Sequence, residues 1–223
     1  MLKNINENNP LREYLVQNNF ETKEQKELRE LSFKTFGNIA NMQVTPEQSS
    51  FLSFLIKIGN YKNILELGTF MGYSTLAMAI AVDNNGHVTT VDKDIKTTSL
   101  AANFWKKTPF ANKISLINEE AKIVLKNLIE KKKIFDFIFV DADKSGYKHY
   151  FETCLNLISD NGLIVFDNVL WKGNVFDKSI NDSKTEVIRE FNNFIKSDSR
   201  VVTTMISIGD GMTLCKKKQV SKL

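Results

Sequence analysis

The chain has 223 residues, 42% hydrophobic and 25% charged, which suits a folded globular domain and argues against disorder. The formal charge of +4 gathers in lysine runs such as 131–133 and 216–218, without the basic stripe and interleaved aromatics that would point to nucleic acid. Cys154 and Cys215 are the two cysteines, and their separation fits buried thiols in a reducing compartment better than a disulfide framework or a zinc site.

In chain order, residues 1–45 read as a helical extension. "NPLREYLVQNN" and "ETKEQKELRELSFKTFG" carry apolar residues at helical spacing, with Pro10 suited to a first turn and Gly37 to a stop. Leu28, Leu31 and Phe36 form the expected apolar side of a segment that is either simply packed or a lid or dimer surface. The first residues lack the apolar core of a signal peptide, and no run nears about 18 apolar residues, so a cytoplasmic protein without a membrane span is expected. The final "SKL" matches a peroxisomal import tripeptide, which carries meaning only in a eukaryote.

Residues 46–223 read as one domain. Strand-like "NILEL" (63–67), "HVTTVD" (87–92), "KISLIN" (113–118), "FDFIFVD" (135–141) and "GLIVFD" (162–167) alternate with helical stretches. Such alternation predicts an α/β fold with a parallel sheet covered by helices on both faces. The last two strand-like runs, joined by "GDG" (209–211), predict an antiparallel hairpin at one edge.

Two features carry chemistry. The first strand ends in "ELGTFMGYS", where Gly68 and Gly72 permit close backbone approach before a helix. Their G-x-x-x-G spacing is not that of a dinucleotide pyrophosphate loop. Glu66 beside it would repel a pyrophosphate and suit a cation, and Asp92 ends the next strand where an acid commonly takes ribose hydroxyls. A positively charged nucleoside, S-adenosylmethionine, satisfies both. The alternative is that the two glycines serve only helix–strand packing.

The second feature is a pair of buried-strand patterns that end in acids, "FVDADK" and "VFDNV". Asp141, Asp167 and Asn168 make an all-oxygen set suited to Mg²⁺, Mn²⁺ or Ca²⁺. An Asp-Asn pair is also an ordinary turn and helix-cap signal. Lys144 would lie beside such a cation, whose like charge lowers an amine's pKa and suits it to act as a general base; the plain alternative is a surface lysine.

The stretches "ILELGTFMGYSTLAMA", "VTTVDKD", "FDFIFVDADKSGYKHYFE", "GLIVFDNVLWKGNV", "NMQVTPEQSSFL" and "IGDGMTLCKK" together resemble the cation-dependent O-methyltransferases, the group of catechol and caffeoyl-CoA O-methyltransferases. The resemblance spans roughly residues 10 to 217. It implies a seven-stranded Rossmann-like methyltransferase sheet of order 3-2-1-4-5-7-6 with its last strand antiparallel, and a homodimer. It implies a divalent metal on Asp141, Asp167 and Asn168, with Lys144 as base. It further implies cofactor contacts from Val44, Glu66, Gly68, Thr69, Ser74, Asp92, Ala121, Asp141 and Tyr147, makes Asp141 catalytic with Lys144, and puts Tyr147 at the reaction centre. Glu119 stands where the family usually has glycine. The expected activity is methyl transfer from S-adenosylmethionine to a catechol-type small molecule. Rival readings are a non-catechol acceptor, a nicotinamide-dependent reductase, which would need the missing glycine pattern, and a base-methylating enzyme, which would need prolines absent from "DADKSGY". A binding protein without activity would have no use for the acids and Lys144.

Overall fold

The computed structural model describes residues 10–218; the terminal tripeptide lies outside them. Seven strands form one sheet of order β3-β2-β1-β4-β5-β7-β6. They are β1 (Asn63–Leu67), β2 (His87–Val91), β3 (Ile114–Ile117), β4 (Phe135–Val140), β5 (Ile158–Asp167), β6 (Val201–Ile206) and β7 (Met212–Lys217). The first five run parallel, and β7 is antiparallel to both of its neighbours, as the hairpin signal predicts.

Eight α-helices accompany the sheet among the described residues: α1 (Pro10–Asn18), α2 (Lys23–Phe36), α3 (Pro46–Gly59), α4 (Tyr73–Ala81), α5 (Ile95–Trp105), α6 (Ala121–Glu130), α7 (Tyr147–Leu157) and α8 (Ser183–Ser197). None is long and apolar enough to cross a membrane.

The central strands read as continuous apolar runs because helices cover both faces. Along β4, Phe137 and Phe139 join one core with α3 and α4 residues, while Ile138 and Val140 join the other with residues of α6, α7 and α8. Phe137 and Phe139 are fully buried, and truncating either to alanine would cost about 3–5 kcal/mol. This rigid centre fixes where β1, β4 and β5 end.

The N-terminal helices are bound to the body by polar contacts. Arg29 donates from Nε and Nη2 to the two Glu21 oxygens, at 2.7 and 2.9 Å, and the Tyr73 hydroxyl donates to the same carboxylate at 2.6 Å. Gln25 Nε2 donates to Ser49 Oγ at 2.9 Å. Leu28 is buried with Met71, Leu76 and Trp105. Leu31, expected on the buried side, is exposed, because the inward stripe of α2 runs through Gln25, Leu28 and Ser32.

Candidate active site

In register, Val140 pairs with Phe166, so the residues that follow, Asp141 and Asp167, emerge side by side where β4 and β5 end. Parallel neighbours lie about 4.8 Å apart, which puts two carboxylates in one small volume. Burial pushes both above the usual carboxylate range, with the charge of Asp92 adding to the rise at Asp141, that of Asp141 adding to it at Asp167, and Lys144 opposing both. Lys144 Nζ bonds Asp141 Oδ1 at 2.8 Å.

Desolvation works against the charge on Lys144, but Asp141 and Asp167 outweigh it and hold the ammonium above its ordinary pKa. The lowering expected for Lys144 belongs to the cation-bound site. In the protein alone the nearest charges to this lysine are negative; the expected depression requires a cation to offset them.

Gln48 of α3 reaches across the sheet end and donates from Nε2 to Asp167 Oδ1 at 2.7 Å. Its Oε1 accepts from the Thr45 backbone N–H at 3.0 Å, closing the α3 capping box. The β6–β7 turn closes over it. A Cβ on Gly209 would meet the Gln48 amide at 2.1 Å, so the turn approaches as only glycine can. From the same turn, the Asp210 side chain accepts from Lys172 N at 2.5 Å and bonds the Asn168 side chain. Asn168 has a left-handed φ of 55°, and the bond from its amide group leaves the amide oxygen as the atom a cation would take.

The donor set therefore fits a hard dication. Buried Asp167, half-buried Asp141 beside it and an amide oxygen need compensating charge, and each carboxylate already spends one oxygen on Lys144 or Gln48. Among the described residues no group of three or more His, Cys, Asp and Glu side chains is arranged for a metal; the set here is two carboxylates and an amide.

Tyr147 lies beneath this cluster and not in its mouth. It is fully buried; its hydroxyl donates to the Asp167 carbonyl at 2.8 Å, with the Val140 carbonyl at 3.3 Å. Its ring is 5.0 Å from Lys144 Nζ. The side chain braces the two strand ends and supports the lysine.

The glycine loop adjoins the same rim. Gly68 has φ +96°, and a Cβ there would fall 2.2 Å from the Asp141 carbonyl oxygen. Asp92 Oδ2 accepts from Thr69 N and Phe70 N, both at 2.9 Å, pinning the loop to the end of β2. Glu66 is sealed within the sheet: Oε1 accepts from Ser74, and Oε2 from Thr90 at 2.6 Å and from Thr75. Burial raises its pKa to about 7 despite these hydroxyls. Ser74 lies in the first turn of α4.

Val44 is buried just before α3, and half-buried Ala121 starts α6. Glu119 accepts from Glu120 N at 2.8 Å and keeps negative φ, so the turn needs no glycine. Of the flanking aromatics, Trp171 packs against the core while Phe176 is exposed.

Comparisons over the whole chain bear on its family and fold. An O-methyltransferase family model matches residues 16–218. The chain belongs to the O-methyltransferase family. It is 40% identical to a caffeoyl-CoA O-methyltransferase of Populus kitakamiensis, with 96% of each chain covered. It is 38% identical to tapetum-specific methyltransferase 1 of Arabidopsis thaliana, again over 96% of each.

Among solved structures, an O-methyltransferase from Bacillus cereus in complex with SAH superposes with a TM-score of 0.84 at 29% identity, covering 93% of this chain and 97% of the other. TomG, an O-methyltransferase from Streptomyces achromogenes in complex with SAM, also gives 0.84, at 25% identity and 94% and 96% coverage. This chain is thus an S-adenosylmethionine-dependent O-methyltransferase. Gln48 and Asp210 escaped the sequence reading, although the T-x-x-Q capping box and the "GDG" turn were visible signs of where they would sit.

Proposed function

We propose that this O-methyltransferase methylates one hydroxyl of a vicinal diphenol, with a divalent cation, Mg²⁺ foremost, held by Asp141, Asp167 and Asn168. The observation that carries the reading is the convergence of buried Asp167, half-buried Asp141 and Lys144 at the rim that also bears the Gly68 loop. The names of the relatives support it, since a caffeoyl group is a vicinal diphenol.

Val44, Glu66 through Ser74, Gly68, Thr69, Asp92 and Ala121 hold the nucleoside and its cationic sulfonium, and Asp141 stands between the two ligands. Asp141, Asp167 and Asn168 would hold a dication whose charge would offset the carboxylates and favour the ionised form of an acceptor hydroxyl. Lys144 Nζ, no longer held protonated by unopposed carboxylates, takes the proton from that hydroxyl. Tyr147 keeps β4 and β5 from parting beneath it. The acceptor oxygen then attacks the sulfonium methyl carbon in line, the C–S bond breaks and S-adenosylhomocysteine leaves as a neutral thioether, so the rate depends on alignment, which is worth about 7–11 kcal/mol where it is complete. Exposed Tyr14, Phe20, Phe54 and Ile58 support the homodimer, and a small phenolic acceptor in the cytoplasm is the matching setting.

Titration calorimetry with Mn²⁺ tests the cation site apart from turnover. Wild type should bind one ion per chain, and Asp167→Asn should bind at least about ten-fold more weakly, a loss of about 1.4 kcal/mol. Unchanged binding in Asp167→Asn and Asp141→Asn would refute the assignment.

A further inference from the structure

We propose that Arg189 is a positioning residue for the methyl acceptor, clamping the loop that walls its site. This rests on placing the acceptor beside Asn168. The chain leaves β5 at Asp167, passes through left-handed Asn168, Trp171, Lys172 and Gly173, and runs to α8 at Ser183 without regular strand pairing. The segment's own backbone bonds reach the Leu170, Asn174 and Asp177 carbonyls, and with no ladder beside it the further acceptor capacity of the loop is met by side chains.

One guanidinium does this. Arg189 Nε donates to Val175 O at 3.0 Å, Nη2 to Asn174 O at 2.8 Å and Asp177 O at 2.5 Å, and Nη1 to Ile180 O at 2.7 Å. The second Nη1 hydrogen goes to Glu186 Oε1. Arginine has five N–H groups, and all five are spent: four on loop carbonyls and one on a carboxylate that fixes the side chain.

One turn further along the same helix face, Asn192 Nδ2 donates to Val169 O at 2.8 Å, the residue after Asn168. On the near side, Val169 N and Leu170 N donate to Gly211 O and Asp210 O at 3.2 and 3.0 Å. The loop is thus held at its root by the hairpin turn and Asn192, and along residues 174–180 by Arg189. None of these bonds touches the glycine loop or Asp92, so the clamp acts on the acceptor side of the rim. Lysine cannot replace it, having three donors on a tetrahedral nitrogen in place of a planar fork.

Arg189→Lys is compared with wild type in three measurements. S-adenosylmethionine affinity by calorimetry should stay within about two-fold, since no donor-site contact changes. The KM for a vicinal diphenol should rise about ten-fold while kcat falls less, because the wall and not the base is disturbed. Native-state trypsin cleavage after Lys178, mapped by mass spectrometry, should accelerate about ten-fold as the loop opens locally.

Should Arg189→Lys be too unstable to purify, Asn192→Ala releases the root alone and should raise KM about three-fold with the same unchanged donor affinity. Unchanged KM and cleavage, or donor affinity falling in step with KM, would overturn the clamp. If wild type methylates no diphenol, the acceptor reading fails instead, and cleavage at Lys178 with donor affinity decides whether Arg189 holds the loop.

Discussion

Gln48 Nε2 lies 2.7 Å from Asp167 Oδ1, joining the start of α3 to the end of β5. The bond links the segment that follows Val44 to a carboxylate of the candidate cation site, so the nucleoside side and the acceptor side of the rim share a fixed distance. Replacing Gln48 with leucine leaves a buried carboxylate oxygen without its donor. The expected cost is about 1–3 kcal/mol, read as a lower urea midpoint in EDTA. A midpoint equal to wild type would mean that Asp167 is oriented by other groups.

Glu66 makes a prediction about pH. Its pKa is raised to about 7 by burial, so between the ordinary carboxylic value and about 7 the folded chain holds a proton that the unfolded chain has released. Stability from this group is therefore full at acid pH and declines as pH rises through that window. For a shift of this size the decline is about 3 kcal/mol. Glu66→Gln should keep stability flatter than wild type from pH 5 to 7.5 in denaturant melts. Parallel curves for the two proteins would show Glu66 ionised in the fold.

Gly68→Ala should damage the donor site more than the fold. The added methyl meets the Asp141 carbonyl at a left-handed φ, so β1 and β4 must separate at their ends. S-adenosylmethionine affinity should drop at least about ten-fold, with a stability loss of about 1–3 kcal/mol. Wild-type affinity in a folded variant would exclude the loop from the donor site.

The Glu21–Arg29–Tyr73 network predicts how the helical extension detaches. Burial alone would raise the Glu21 pKa, but the Arg29 and Tyr73 donors outweigh it and lower it. The stabilisation is present above the usual carboxylate range and is lost as pH falls through the lowered pKa. Arg29→Gln should cost about 1.5–3 kcal/mol and expose α2 amides to hydrogen exchange ahead of the sheet. Exchange in step with the sheet would show the extension held by its apolar contacts instead.

Much of this architecture was legible in the residues. The strand runs were plain because β1, β4 and β5 are covered on both faces, and their closing acids stood out against that apolar background. The start of β5 was not: it begins at Ile158, four residues before the apolar run, because Ile158 pairs with Phe135 across a register shift and the exposed residues between carry no apolar signal. On α2, polar Gln25 and Ser32 occupy the inward stripe, so a hydrophobic pattern put Leu31 on the wrong side. Lys144 was read through the cation's charge, whereas the protein alone surrounds it with carboxylates. The task of Arg189 could not be read at all, since its partners are backbone carbonyls that any residue supplies.

The central claim, that strand-end acids serve a chelated diphenol, is tested most directly by following labelled methyl transfer from S-adenosylmethionine to a vicinal diphenol and to its monophenol analogue, with Mg²⁺ and with EDTA. Transfer to the diphenol alone, abolished by EDTA and restored by added Mg²⁺, is the predicted result. Equal transfer to both phenols, undiminished in EDTA, would contradict the account.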